Sequence, residues 1–254
     1  MRVGRMFGIV PLCALMLLLA FWSQPASADV SATLTSKVLS RYVLVNGADV
    51  YRKPVVQSEL LLLLPKGFYA DLFWSTGMNT QFSHDLDDEV DWTVGWSGNV
   101  GKGVVLDFGV TYFDLRSLWS TKGPVGDFIQ PFAQAEKTFS LSESQSLTPY
   151  LRLEVLFPTH ADIRTGSYVH LGVRHVWTVS DVLALNQKLF LVGDSGAAGF
   201  DAVVIGHYQA GLDWRMAKKL TLTLPTLKFS SPLSHVSDGR QGEFVYGLGM
   251  SLAF

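Results

Sequence analysis

Three residue types that acyl transfer requires stand near the end of the chain: His235, Ser237 and Glu243. A serine hydroxyl becomes a nucleophile when a histidine takes its proton and a carboxylate orients the imidazole. The same residues are ordinary loop formers, so their spacing alone does not demand catalysis. Gly193-Asp194-Ser195-Gly196 could present a serine on a sharp turn. Four residues are a weak signal, and Gly, Asp and Ser are turn formers in their own right. His84, Asp85, Asp87, Asp88 and Glu89 offer nitrogen and oxygen ligands to a hard cation, but the glycine-bearing spacing of a calcium loop is missing. A solvated acidic loop accounts for them. The single cysteine, Cys13, lies in the first apolar run, which leaves no thiol site further along. No metal site and no cofactor is expected.

A second set of charges is dispersed. Glu59, Asp71, Glu89, Asp91 and Asp107 come early in the chain, and Arg152, Arg174, Lys188 and Arg215 come later. Chemistry from such a set needs elements that turn all of these residues to one face. The last twelve residues show the kind of element involved. Phe244, Tyr246, Leu248, Met250, Leu252 and Phe254 alternate with Glu243, Val245, Gly247, Gly249, Ser251 and Ala253, and a period of two puts the sets on opposite faces of a strand. The same dyad recurs around Val90–Trp96, Leu151–Phe157 and Val169–Trp177. Alternation bounded by Gly, Pro, Asn, Asp and Ser predicts about twelve strands, near 31–45, 54–64, 68–76, 89–98, 103–114, 127–138, 147–157, 167–178, 182–193, 201–214, 219–228 and 243–254. The strand at 127–138 has ambiguous facing, with Phe128 and Phe132 on one side and Ile129 and Ala133 on the other. Pro225 interrupts its strand and predicts a bulge.

The connections alternate short and long, and a segment near 139–146 is too long for the short side. Short turns at one end and long loops at the other, with an even strand count, describe a transmembrane β-barrel. The start of the chain agrees. Arg2 and Arg5 precede an apolar run from Met6 to Phe21, and Ala26-Ser27-Ala28 is a small-residue cleavage site. Residues 1–28 read as a signal peptide and 29–254 as one all-β, closed, antiparallel barrel domain in the bacterial outer membrane. Removing Arg2 and Arg5 leaves 18 basic against 22 acidic residues, a net charge of about −4, which excludes a nucleic-acid footprint. No apolar run after residue 28 is long enough for a transmembrane helix. Trp74, Trp92, Trp96, Tyr112, Trp177 and Trp214 fit girdles at the membrane interfaces. The expected partners are outer-membrane lipid and, through the strand ending on Phe254, the barrel-assembly machinery.

The stretch from Leu39 to about Leu115 resembles the gcw_chp family of exported bacterial proteins. The residues that carry the resemblance are Ser40-Arg41-Tyr42, Asn46-Gly47, Lys53-Pro54 with Gln57, Gly67-Phe68-Tyr69-Ala70, Glu89-Val90-Asp91 with Gly95, and Gly109 with Tyr112. Members tend to carry an arginine where Asn46 stands. The resemblance implies an outer-membrane barrel of unknown function and no catalytic residues. His235-Val236-Ser237 with Glu243 also resembles, over a few residues only, the His-x-Ser and later acid of outer-membrane lipid A deacylases.

Folded into a barrel, the dispersed charges form an acidic wall from the early strands and a basic wall from the later ones. Lys37, Arg41, Glu154 and Asp213 break the separation. Two outcomes follow. The charges pair and fill the interior, or they set a transverse field across a narrow lumen that passes small solutes. A lipid acyl hydrolase and a soluble periplasmic β-protein are the alternatives.

Overall fold

The computed structural model describes residues 30–78, 89–114, 127–159 and 164–254. Among them run β1 (Ser31–Leu39), β2 (Tyr42–Val43), β3 (Asp49–Tyr51), β4 (Val55–Leu63), β5 (Phe68–Gly77), β6 (Glu89–Gly101), β7 (Val104–Asp114), β8 (Phe128–Lys137), β9 (Phe139–Ser140), β10 (Gln145–Pro158), β11 (Gly166–Ser180), β12 (Leu183–Asp194), β13 (Val203–Ala217), β14 (Leu220–Pro232) and β15 (Glu243–Ala253). The predicted signal at 1–28 and the acidic loop residues His84, Asp85, Asp87 and Asp88 lie outside the described residues.

Every neighbouring pair in the wall is antiparallel. β15 pairs with β1, β1 with β4, and β10 with β11, so the ring of strands closes on itself. β8 and β9 both pair with β10 and are two pieces of one wall strand. The wall therefore has twelve strands. β9 also resolves the segment near 139–146, because it extends the hairpin and leaves only 141–144 as a turn. Closure matters in lipid, where an open edge would strand backbone donors at several kcal/mol each.

Alternation decides what faces where. In β15, Phe244, Tyr246, Leu248 and Met250 are 45–59% exposed, whereas Glu243 and Val245 are 4% and 3% exposed. Leu151, Leu153, Leu171, Leu189 and Leu191 likewise cover the outside of β10, β11 and β12. A continuous apolar exterior is a lipid-facing surface rather than a solvated one, which excludes the soluble alternative. Trp96, Trp177 and Trp214 lie near the short-turn ends of their strands, and Trp74, Trp92 and Tyr112 near the loop ends, as interface girdles require. In β8, Phe128, Gln130 and Phe132 are buried inside while Ile129 is exposed, which settles the ambiguous strand. The register of β14 against β15 shifts between Thr223 and Thr226, around Pro225.

One expected strand was too long. The stretch 31–45 leaves the wall after Leu39, and residues 40–54 fold into the barrel, where β2 and β3 form a separate two-stranded sheet. The turn that permits this is local chemistry. Asn46 Oδ1 accepts the Ala48 amide at 3.1 Å, and Gly47 takes φ +81, a left-handed conformation that costs glycine nothing.

Candidate functional site

The inturned 40–54 segment divides the barrel interior. Tyr42 donates its hydroxyl proton to Glu89 on β6. On the other side, Lys228 Nζ donates to Val43 O at 2.8 Å, and His207 Nε2 donates to Val45 O at 2.8 Å. Arg41 pairs with Asp49 at 3.3 Å and with Glu243 at the start of β15. The segment is thus held from both walls. Its apolar residues explain why it goes inward. Val43 is buried, and Val45 packs on a cluster of inward-facing side chains that includes Phe128, Tyr150, Tyr168, Phe190, Val192 and Ile205. Burying a Val or Ile side chain is worth roughly 1.5–3 kcal/mol, enough to offset the ordering of a short hairpin whose backbone carbonyls are already bonded.

All nine residues expected to line the lumen do face inward by strand register, but they do not share one environment. Glu89 and Asp91 are buried at the loop end beneath the inturned segment. Asp71 and Asp107 sit lower, with Tyr69 donating to Asp107 at 2.8 Å. Glu59 and Arg215 are exposed to the interior space. Arg152 pairs with Glu154, which also accepts the Gln130 side-chain amide at 2.5 Å and lies 3.2 Å from His170 Nε2. Arg174 pairs with Glu136. Arg215 lines a small cavity of about 160 Å³ at the turn end, with Asp181, Asn186, Asp213 and Thr221. Pairing therefore accounts for part of the basic wall. Asp71 Oδ1 and Asp91 Oδ1, on the acidic wall, have no hydrogen-bond partner among the described residues.

Glycines shape this interior. Gly95 faces inward opposite Tyr69, and a Cβ there would collide with the tyrosine ring. The ring lies across the glycine, a device that stiffens strongly bent sheets.

Several interior residues escaped the sequence reading, among them Glu136, Lys228 and Arg240. Glu136 lies on the strand whose facing was ambiguous. Lys228 follows Pro225, and the bulge there resets the alternation. Arg240 lies in the last loop, where no periodicity could mark it. Its side chain is 2% exposed; Nη1 bonds Asp194 Oδ2 and Asn46 O, both at 2.9 Å, and Nη2 bonds Asp238 Oδ2 at 2.8 Å. One guanidinium thereby ties the last loop, the 195–202 loop and the inturned segment together.

The acyl-transfer set does not assemble. Ser237 donates its hydroxyl proton to Asp201 Oδ2 at 2.7 Å, and the Ser237 amide donates to the same oxygen at 2.5 Å. These bonds hold the Asp201 carboxyl below its ordinary pKa. Glu243 is buried against Arg41, and His235 is exposed. The serine is thus a loop brace, and the carboxylate belongs to the interior. Gly193-Asp194-Ser195-Gly196 is also structural, since Asp194 Oδ1 accepts the amides of Gly196 and Ala197 at 2.8 and 2.9 Å. Among the described residues no group of His, Cys, Asp and Glu is arranged to hold a metal.

No family model matches the chain, and no curated protein sequence matches it. Solved structures do. The NanC porin aligns with a TM-score of 0.55 at 13% identity, over 86% of this chain and 98% of that one. The KdgM porin in complex with disordered oligogalacturonate aligns with a TM-score of 0.53 at 10% identity, over 88% and 99%. At these identities the likeness is one of fold. The chain is a closed twelve-stranded β-barrel with the fold of outer-membrane barrels, and its apolar exterior agrees with that membrane.

Proposed function

We propose that the protein is a narrow pore for small solutes, constricted near its outer mouth by the 40–54 segment. The observation that carries this reading is that the segment is pinned to both walls, by Tyr42 to Glu89 and by Lys228 and His207 to its backbone. Below it the interior is lined with charges that remain accessible. Glu59 and Arg215 are exposed, and the Arg174 side chain is 43% exposed. An interior meant only to be filled would bury these groups with their partners, because an unpaired buried charge is costly. A twelve-stranded barrel is wide enough to hold either a plug or a passage, and a constriction on one side of it leaves a narrow one.

The gcw_chp resemblance fits the same proposal. Arg41, Tyr42, Asn46 and Gly47 build the inturned segment, Glu89 seats it, and Gly95 makes room for Tyr69. We infer that such relatives share the constriction.

Planar-bilayer conductance and liposome swelling test the proposal. The wild type should give a small ohmic conductance and admit solutes of monosaccharide size. Replacing residues 41–53 with a short Gly-Ser linker should raise the conductance several-fold, since no wall strand uses those residues. Absence of conductance and swelling in both folded proteins would overturn it.

A further inference from the structure

The short-turn end of the barrel carries charge of one sign along one side of its rim. Lys66 lies in the turn between β4 and β5, Lys102 in the turn between β6 and β7, and Lys218 and Lys219 in the turn between β13 and β14; Lys137 is the last residue of β8. In the ring order β13-β14-β15-β1-β4-β5-β6-β7-β8 these lysines span one unbroken arc. The acids of the short turns, Glu143 and Asp181, lie in the other two turns, outside the arc. Lys66, Lys102, Lys218 and Lys219 are exposed, and the Lys137 ammonium lies 5.3 Å from the centre of the exposed Phe139 ring. None of these lysines has a salt bridge among the described residues. At the loop end, by contrast, Arg41 and Arg240 are paired with Asp49, Glu243, Asp194 and Asp238.

The backbone sets these cations at a defined depth. Lys66 and Lys102 take φ +63 and +53, the left-handed region where glycine or asparagine would be less strained. The 64–67 turn is fixed against the aromatic girdle, because Trp96 Nε1 donates to Lys66 O at 2.9 Å. Gly67, at φ +86, lies so close to Ser97 O that a Cβ would collide with it. Trp96 packs on the exposed Phe108 ring, with centroids 5.2 Å apart. Leu63 and Phe68 flank Lys66 in the chain, Trp214 and Met216 precede Lys218, and all four are exposed. The lysines therefore stand just beyond the apolar, lipid-facing band, at the level where long cationic side chains reach headgroups.

We propose that this lysine arc is a docking surface for anionic phospholipid headgroups in the leaflet on the short-turn side. Continuity and charge name the occupant. The wall next to the arc faces lipid, so the molecules whose chains cover Phe68, Phe108 and Trp214 present their headgroups to the lysines. A phosphodiester with net negative charge supplies the counter-charge that the arc lacks. A zwitterionic headgroup brings its own cation and gains less. Short turns of such barrels face the periplasm, which places the surface on the periplasmic leaflet. The proposal concerns the outside of the barrel and stands whether or not the lumen conducts.

The test uses the full-length barrel refolded into vesicles of phosphatidylglycerol and phosphatidylcholine. Chain-brominated forms of each lipid quench tryptophan, and Trp96 and Trp214 report from the arc. The wild type should prefer phosphatidylglycerol about fivefold, as expected for one lysine contact per headgroup. The preference should fade in about 1 M salt, where screening acts within about 3 Å. Lys66→Asn, Lys102→Asn, Lys218→Gln and Lys219→Gln together, in a barrel folded as judged by heat-modifiable migration, should bring the two lipids to parity; asparagine keeps the left-handed turns. Arginine at the same four positions should retain the preference. Equal binding of both lipids by the wild type, or a preference that survives neutralisation, would overturn the docking surface. So would loss of preference in the arginine variant, since turn geometry rather than charge would then set it. A wild type without lipid preference that binds polyglutamate would assign the arc to an acidic peptide and overturn the lipid reading.

Discussion

The two ends of this barrel interior handle polar groups in opposite ways. At the loop end His207, Asp194 and Glu243 are 1–4% exposed, and each has partners arranged around it. Asp194 serves Arg240 with one oxygen and two backbone amides with the other. From mid-barrel to the turn end, Glu59 and Arg215 are exposed. The first arrangement closes space, because a buried charge must be paired. The second leaves space and charge available to something that passes. The difference teaches that inward-facing charge does not by itself identify a lumen. Its partners do.

The comparison can be broken most severely at Arg240. Arg240→Met removes the guanidinium and leaves Asp194 buried with one oxygen unpaired, which should cost about 3–5 kcal/mol. The wall has no part in that bond. Protease nicking of the 195–202 and 233–242 loops should therefore rise while heat-modifiable migration still reports a barrel. Equal protease resistance would mean that the loop end is not held by this residue. Ile205→Ala comes next. Ile205 is wholly buried beneath Gly47 of the inturned segment, and its truncation should cost about 2–4 kcal/mol and make the conductance fluctuate as the segment loosens.

Gly95→Val tests the wall lower down. The new side chain must displace the Tyr69 ring and its bond to Asp107, for about 1–3 kcal/mol, read as a lower midpoint in thermal unfolding. The smallest effect on stability belongs to Glu59→Gln. An exposed group that braces nothing should change stability by less than about 0.5 kcal/mol, yet shift the reversal potential in a salt gradient toward anions. A large loss of stability there would show that the turn end is packed like the loop end.

The wall was largely legible before any coordinates. Twelve runs of period-two alternation correspond to the twelve wall strands, and the facing of Glu59, Asp71, Asp107, Arg152, Arg174, Lys188 and Arg215 followed from them. The failures have local causes. Leu39 to Val45 keeps its alternation past the point where the chain turns inward, since a hairpin inside the barrel has the same period as a strand in its wall. Lys228 was lost behind the bulge at Pro225, and Glu136 behind the two-sided apolar pattern of β8.

By itself the amino-acid sequence carried the pattern of a twelve-stranded barrel with an acidic and a basic set of inward residues, and the exposed apolar exterior then removed the soluble alternative. Strand periodicity is a one-dimensional property, and lipid demands that the sheet close. Only the tertiary structure decided which charges are spent on each other and which face open space. Tyr42 meets Glu89, Lys228 meets Val43 and Arg240 meets Asp194 across 47, 185 and 46 residues of chain. Partners at such separations are brought together by the closed wall and the inturned segment, and no local pattern encodes them.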